Sequence, residues 1–353
     1  MRLRTALEAS RCVGEPLLVW WDAATNKWVR EGDVSIVGQP PPRPALRGSG
    51  SSRSFKRALF PSTLFESGRR AIRAFSSDSV LRDTTVVLHT SYLSPISKSL
   101  RESGVRRIIV DVYDFVAYAH LDDAEHNGAL GMLRKAYGTS VRHRELGYLA
   151  QADGLAVAGW RDTQLLATAG LTQATWVPTG IQPLESSVPS ASPICVGLIG
   201  NFAHSATAAA SSLLLGSELA SSPDCRLIFA GLHSDSLVRD VNATVLGPVA
   251  DARSFYDEIH VLVVPVQNSS GMKCKLAEGV LARKAVLTTP RGAAGYPPSL
   301  RKYLEVAPLD EMSVATVRHA MESHDPEGRE VFEATCGLPA AADSYGSLLQ
   351  AYG

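Results

Sequence analysis

The stretch Ser269-Ser270-Gly271-Met272-Lys273-Cys274-Lys275-Leu276-Ala277-Glu278 is the part of this chain best equipped for chemistry. It opens a predicted helix with small residues and sets two cations and a carboxylate along it. The first amides of a helix have no carbonyl one turn back and carry a partial positive charge, and Lys273 and Lys275 add full charges beside them. These groups outline a site for a diphosphate. At about 100° per residue, Leu276, Ala277, Val280 and Leu281 share one apolar arc, while Lys275 and Glu278 lie roughly 60° apart on the other side. One face can be buried and the other aimed at a ligand, where Glu278 can accept from both hydroxyls of a ribose. Taken alone, the segment fits an ordinary amphipathic helix with a solvated charged face equally well.

The elements that would position such a site alternate along the chain. Strands are predicted at Pro16 to Trp21, Thr85 to His89, Arg107 to Val112, Gly154 to Ala158 and Thr175 to Val177. A second series follows at Ile194 to Ile199, Arg226 to Ala230, Val261 to Val264 and Ala285 to Thr288. Several are continuously apolar, as strands covered by helices on both faces are, and helical patterns separate them. This is a doubly wound α/β pattern. The Ser/Pro-rich break between the two series predicts a linker at 186–193. Residues 1–185 then form an N-terminal Rossmann-like domain and 194–335 a second one, with a cleft between them. A C-terminal helix over 336–353 is expected to pack back on the first domain. Pro40 to Ser54 reads as a surface loop.

Composition narrows the class. The chain has 353 residues and is 45% hydrophobic, enough for a core in each of two domains. Lys+Arg 35 against Asp+Glu 35 excludes wholesale nucleic-acid binding. The charge is uneven, however: Arg43 to Arg107 carries a surplus of nine positive charges. There Phe55, Leu59, Phe60, Leu64, Phe65, Ile72 and Phe75 interleave with Arg53, Lys56, Arg57, Arg69, Arg70 and Arg73. Soluble helices with basic flanks show such mixing, and so do helices that lie on a membrane surface. The five cysteines are scattered, without a CxxC pair, and read as reduced thiols. No apolar run approaches the roughly 20 residues of a bilayer span, and no signal-peptide core follows Met1, so a cytoplasmic protein is expected.

From Ile194 onward the chain resembles the donor-binding domain of bacterial family-four glycosyltransferases of the GT-B fold, in the subgroup with a small-residue turn before its phosphate helix. The resemblance rests on ordered pieces. These are Gly197-Leu198-Ile199-Gly200-Asn201-Phe202 with His204, Leu246-Gly247-Pro248-Val249, Val263-Val264-Pro265, the Ser269 to Glu278 run, and Thr288-Thr289 followed by Gly292 and Gly295. Val177-Pro178-Thr179-Gly180-Ile181 is similar to the family's turn at the end of its first domain. Weaker similarity covers Val110-Asp111-Val112-Tyr113-Asp114, and Glu145 ahead of Ala152-Asp153.

The resemblance implies a transferase that moves a sugar from a nucleotide-diphosphate donor to a small-molecule or lipid-linked acceptor, retaining configuration, with no cofactor and no metal. It implies catalytic roles for Lys275, Lys273 and Asp114, and donor contacts from Gly200, Asn201, His204, Val249, Ser270, Gly271, Met272 and Glu278. Asp111 would face the acceptor. Asp111 and Asp114 are equally well read as a strand-end turn or helix cap, and His204 as a capped-loop histidine with Thr207 capping the next helix. Ser270 stands eight before Glu278, where many members carry a glutamate that touches the sugar. Arg283-Lys284 replaces a usual glycine turn. The first strand of the fold is missing from the pattern, which implies its loss or a misassigned start codon. A sugar-nucleotide epimerase, a phosphorylase and a degenerate nucleotide-sugar-binding subunit share this architecture and stay open.

Overall fold

The computed structural model describes residues 85–352, with breaks at 90, 103, 116, 118–120, 122–127, 190–191, 238–242 and 268–269, together with residues 5–6, 19–22, 27–30 and 35–36. The Pro40 to Ser54 loop and the basic, aromatic-interleaved stretch up to residue 84 lie outside the described residues. The strand expected at Pro16 to Trp21 appears as β1 (Val19–Asp22). It pairs antiparallel with β2 (Lys27–Arg30), which pairs antiparallel with β3 (Ser35–Ile36). It therefore belongs to a small separate sheet, not to the parallel one. Only four residues separate β1 from β2, enough for a hairpin but far short of a parallel crossover.

The chain divides into two compact units. One comprises 3–158, 163–177 and 342–353; the other comprises 159–162 and 178–341, with residues 1–2. In the first, β4 (Thr85–His89), β5 (Arg107–Val112), β6 (Gly154–Val157) and β7 (Ala174–Trp176) form a parallel sheet in that order. Helices α1 (Ser97–Glu102) and α2 (Gly128–Leu149) connect them, and α3 (Trp160–Thr168), of which residues 163–168 belong to this unit, follows β6. Side chains alternate along β5. Ile108, Val110 and Val112 join a core with Leu88, Phe115, Leu149 and Leu155. Ile109 faces the other way, onto Ala156, Val177 and the Ala342, Tyr345, Leu348 and Leu349 side chains of α7 (Leu338–Ala351). Burial on both faces is what makes the run Ile108 to Val110 of β5 apolar at every position.

The second unit holds a six-stranded parallel sheet ordered β10-β9-β8-β11-β12-β13. Its strands are β8 (Ile194–Ile199), β9 (Cys225–Ala230), β10 (Ala243–Gly247), β11 (Val261–Val264), β12 (Ala285–Thr288) and β13 (Glu305–Val306). The chain winds from β8 outward to β10, returns to the far side of β8 as β11, and winds outward again. Strand order thus reverses between β8 and β11, and the loops leaving those two strands diverge to open a crevice at their carboxyl ends. The loop after β11 leads into α6 (Cys274–Leu281), whose Leu276, Ala277, Val280 and Leu281 are buried as the helical arc requires. Gly279 lets this helix sit close: a Cβ there would lie 2.7 Å from Leu262 Cδ2 and 2.8 Å from Val286 Cγ2. The backbone of α6 is seated directly on β11 and β12.

The Arg283-Lys284 pair after α6 has a physical role. Arg283 takes the left-handed conformation, φ 57°, in which glycine is usual at a helix end. Lys284 is then carried into the interior, 1% exposed, where its ammonium donates to the Ser187 carbonyl. Ser186 Oγ donates to Ala282 O at 2.6 Å, and the Ser187 amide and hydroxyl both donate to Asp257 Oδ1, at 2.6 and 3.0 Å. The Ser/Pro-rich segment is pinned at its first two residues.

Replacing Gly279 by valine tests the seating of α6. Overpacking should lower the urea-unfolding free energy by about 1–3 kcal/mol even though valine is the better helix former. Unchanged stability would show that the helix has slack over β11 and β12.

Candidate functional site

The carboxyl ends of β8, β9 and β10 are laced together by backbone bonds. Gly200 N donates to Ala230 O at 2.9 Å, Phe202 N to Leu232 O at 2.8 Å and Gly231 N to Gly247 O at 2.8 Å. Gly231, at φ 118°, must be glycine, because a Cβ there would lie 2.0 Å from Gly200 O. Above this edge lies an open hollow of about 280 Å³ lined by Ile199, Gly200, Asn201, Gly231, Leu232, Pro248, Val249 and Ala252. Apart from Asn201, its walls are apolar side chains and bare backbone, a surface suited to a flat ring contacted through main-chain groups. Val249 is half-buried in it.

Lys275 and Glu278 of α6 lie at the same edge. The Lys275 ammonium reaches Gly200, where a Cβ would come within 2.5 Å of Nζ. Both side chains are half-buried. Burial pulls the Lys275 amine below its ordinary range; the Glu278 charge opposes that shift and the Lys273 charge adds to it. Burial also holds the Glu278 carboxyl above its ordinary range, against the pull of Lys275 and of the Tyr256 hydroxyl. That hydroxyl, on α5 (Ala252–Tyr256), donates to Glu278 Oε2 at 3.4 Å. Both charges thus stand in a medium poorer in water than bulk, where an anionic ligand would gain more from the ammonium.

The remaining members of the Ser269 to Glu278 run lie differently. The helix begins at Cys274, later than the small-residue start expected of it. Lys273 occupies the N-cap position, and its ammonium donates to Ser270 O at 2.6 Å, folded back on its own loop. Ser270, Gly271 and Met272 are buried. Ser270 Oγ donates to Asp162 Oδ2 at 3.1 Å, and Met272 Sδ accepts from Thr179 N at 3.3 Å, so both side chains point inward. Tyr296 closes the helix start: its hydroxyl donates to Lys273 O at 2.8 Å and accepts from Ala277 N at 3.2 Å.

Around β8, Asn201 is exposed and its Oδ1 accepts from Ala203 N at 3.1 Å, a local turn. His204 is exposed and is itself the N-cap residue of α4 (Ser205–Leu215), without a side-chain cap bond. Thr207, expected as the cap, instead lies inside α4, and a Cβ on Gly200 would lie 3.3 Å from its Oγ1.

In the other unit, Asp111 lies within β5 and not after it, fully buried. Its Oδ2 lies 2.8 Å from Nδ1 of His89, which pairs with it in register across β4. The His89 ring packs edge-on against Tyr113, 4.6 Å between centroids. Asp114 is exposed beyond the strand. Glu145 is buried and accepts from Ala117 N at 2.9 Å, a structural bond. His89, Asp162, Tyr256 and Tyr296 escape the sequence reading, since each matters through a partner between 19 and 109 positions away.

No protein-family model and no characterised protein matches the sequence. Solved structures match the fold. A sucrose-phosphate synthase from Thermosynechococcus elongatus does so with a TM-score of 0.64 at 15% identity, covering 99% of this chain and 92% of that one. HepE of Anabaena, in complex with UDP and glucose, gives 0.59 at 10% identity over 86% and 90%. A UDP-forming α,α-trehalose-phosphate synthase from Burkholderia xenovorans, in complex with glucose-6-phosphate, gives 0.51 at 12% identity over 85% and 83%. At such identities the shared property is the fold, two Rossmann-like parallel-sheet units of the GT-B type.

Gly200→Ala probes the contact between β8 and Lys275. The added methyl would displace the far end of the flexible Lys275 side chain and press on Thr207 Cγ2 and Oγ1, at 3.1 and 3.3 Å, so stability should fall by no more than about 1 kcal/mol while Lys275 is moved. Calorimetry with UDP should show affinity weakened by about tenfold, the worth of one charge-assisted contact. Undiminished affinity would separate Gly200 from the ligand.

Proposed function

We propose that the protein is a glycosyltransferase of the family-four kind, moving a sugar from a nucleotide-diphosphate donor to an acceptor with retention of configuration and without a bound metal. One observation carries this reading: a half-buried ammonium and carboxylate, Lys275 and Glu278, stand at the strand-order reversal of a parallel sheet, beside the hollow that Gly200, Pro248 and Val249 line. The base would lie in the hollow against the Val249 backbone, the ribose on Glu278 and the diphosphate on Lys275 and the first amides of α6. The structural neighbours HepE and trehalose-phosphate synthase, solved with UDP and with a sugar phosphate, favour this class of chemistry.

In this mechanism the bond from the anomeric carbon to the diphosphate breaks as the acceptor oxygen bonds on the same face, and the acceptor proton passes to the departing phosphate oxygen. The protein's task is to hold and neutralise the diphosphate. Lys275 does so directly; Lys273, turned onto Ser270 O, contributes through its charge and by bracing the loop. The acceptor role is assigned to the first unit. There Asp114 is exposed, and Asp111, being buried, would act through His89. The surplus of positive charge between Arg43 and Arg107 favours an anionic acceptor or one presented at a membrane surface. No helix among the described residues is long and apolar enough to cross a membrane.

Calorimetry with UDP, GDP and dTDP across a pH series tests the site. Glu278 must be ionised to accept from ribose, so binding should weaken as pH falls through its raised value, before the ordinary 4.5 is reached. Lys275 must be protonated, so binding should weaken again as pH rises, below the ordinary 10.5. Glu278→Ala should remove the acid limb and Lys275→Ala the alkaline one, each costing on the order of 1.5–3 kcal/mol at neutral pH. Both variants binding the best nucleotide as tightly as wild type would refute the assignment.

Turnover should survive excess EDTA, and proton NMR of the product should show the anomeric configuration of the donor. Activity abolished by EDTA and restored by manganese, or an inverted product, would exclude this mechanism.

A further inference from the structure

Asp162 lies outside every motif of the sequence, yet it holds the loop on which the donor site depends. Its side chain is buried, 1% exposed. A single oxygen, Oδ2, accepts from the Gly271 amide at 2.6 Å and from Ser270 Oγ at 3.1 Å. Gly271 stands at φ 70°, a conformation that any other residue would resist. Two more glycines close on it: a Cβ on Gly159 would lie 2.9 Å from Gly271 Cα, and one on Gly295 would lie 2.6 Å from Gly271 O. The leading amides of α3, at Trp160 and Arg161, donate to Gly295 O at 2.9 Å and Ala294 O at 3.1 Å. Segments 159–162, 270–272 and 294–295 therefore meet backbone against backbone, all within one compact unit.

A buried carboxylate near an anion site is unfavourable twice over, since burial penalises its charge and its charge repels phosphate. What it supplies in return is direction. By drawing the Gly271 N–H inward, Asp162 fixes the left-handed turn from which Met272 and Lys273 lead into α6, with the Lys273 ammonium folded onto Ser270 O. The loop is then set before any ligand arrives, so binding need not order it.

We propose that Asp162 is the positioning residue of this loop, pre-setting its turn so that Lys275 and the first amides of α6 meet the phosphates of the donor. This rests on the donor-site reading above. Asp162→Leu matches the side chain in size and removes the acceptor; Asp162→Asn keeps an oxygen that can accept the Gly271 N–H. Calorimetry with UDP and with uridine, which has no phosphates, distinguishes positioning from general damage. UDP affinity should fall at least about tenfold in Asp162→Leu, uridine affinity should hold, and Asp162→Asn should recover most of the loss. Equal loss for UDP and uridine, or no loss, would overturn the proposal.

Hydrogen exchange on the wild-type protein gives a test that does not depend on a variant folding. The Gly271 amide should be protected without nucleotide, and the Cys274 and Lys275 amides at the start of α6 should gain protection when UDP is added. A Gly271 amide that exchanges freely until UDP binds would show a loop ordered by its ligand, against the proposal. A wild-type protein that keeps Gly271 protected but binds none of UDP, GDP and dTDP would instead sink the donor-site reading on which the positioning role rests.

Discussion

The coupling of Lys275 to Glu278 is the interaction on which the rest of this site depends. Each charge loses water by lying where it does, and each is the principal favourable charge acting on the other. A lone ammonium at that edge would be driven toward its neutral form, and a lone carboxylate likewise. Side by side at helical spacing, each charge opposes the shift that burial imposes on the other. Holding a diphosphate and a ribose requires both charges.

Everything around the pair serves to keep it there. The reversal of strand order between β8 and β11 brings the Gly200 loop beside the start of α6. Gly279 lets α6 rest on the sheet, and Gly200 leaves room for the Lys275 ammonium. Tyr256 reaches Glu278 from α5, and Tyr296 ties the first turn of α6 to its own N-cap. The hollow beside the pair exists because Gly231 can take a conformation closed to other residues. Glycines at these contacts are thus requirements of close approach, each set by a particular neighbouring atom.

Much of the frame is legible in the sequence because it is written in local apolar runs. β4, β5, β8, β11 and β12 lie where their apolar runs predict, although β4 is half-buried and β5 carries Arg107 and Asp111. β10 and β13 are not legible: β10 is half-exposed along its length, and β13 has only two residues. β1 carries a strand signature, but the sequence does not reveal that its partner is the next hairpin arm. In the site, Lys275 and Glu278 share the less buried side of α6, as helical spacing requires, while Gly200 and Val249, assigned through the family resemblance, line the hollow at the edge of β8. The inward turn of Ser270 and Met272 is not foreseeable, since their partners, Asp162 and Thr179, are set by tertiary folding. Asp111, left open between an acceptor residue and a strand-end turn, proves to be a fully buried residue of β5 that lies 2.8 Å from His89 across the register.

A crystal structure of the protein with bound UDP tests the central claim most directly. The account predicts the diphosphate within hydrogen-bonding distance of Lys275 Nζ at the start of α6, the ribose hydroxyls on Glu278, and the base in the hollow against Pro248 and Val249. Nucleotide bound elsewhere, or bound with Lys275 and Glu278 turned away from it, would contradict the account.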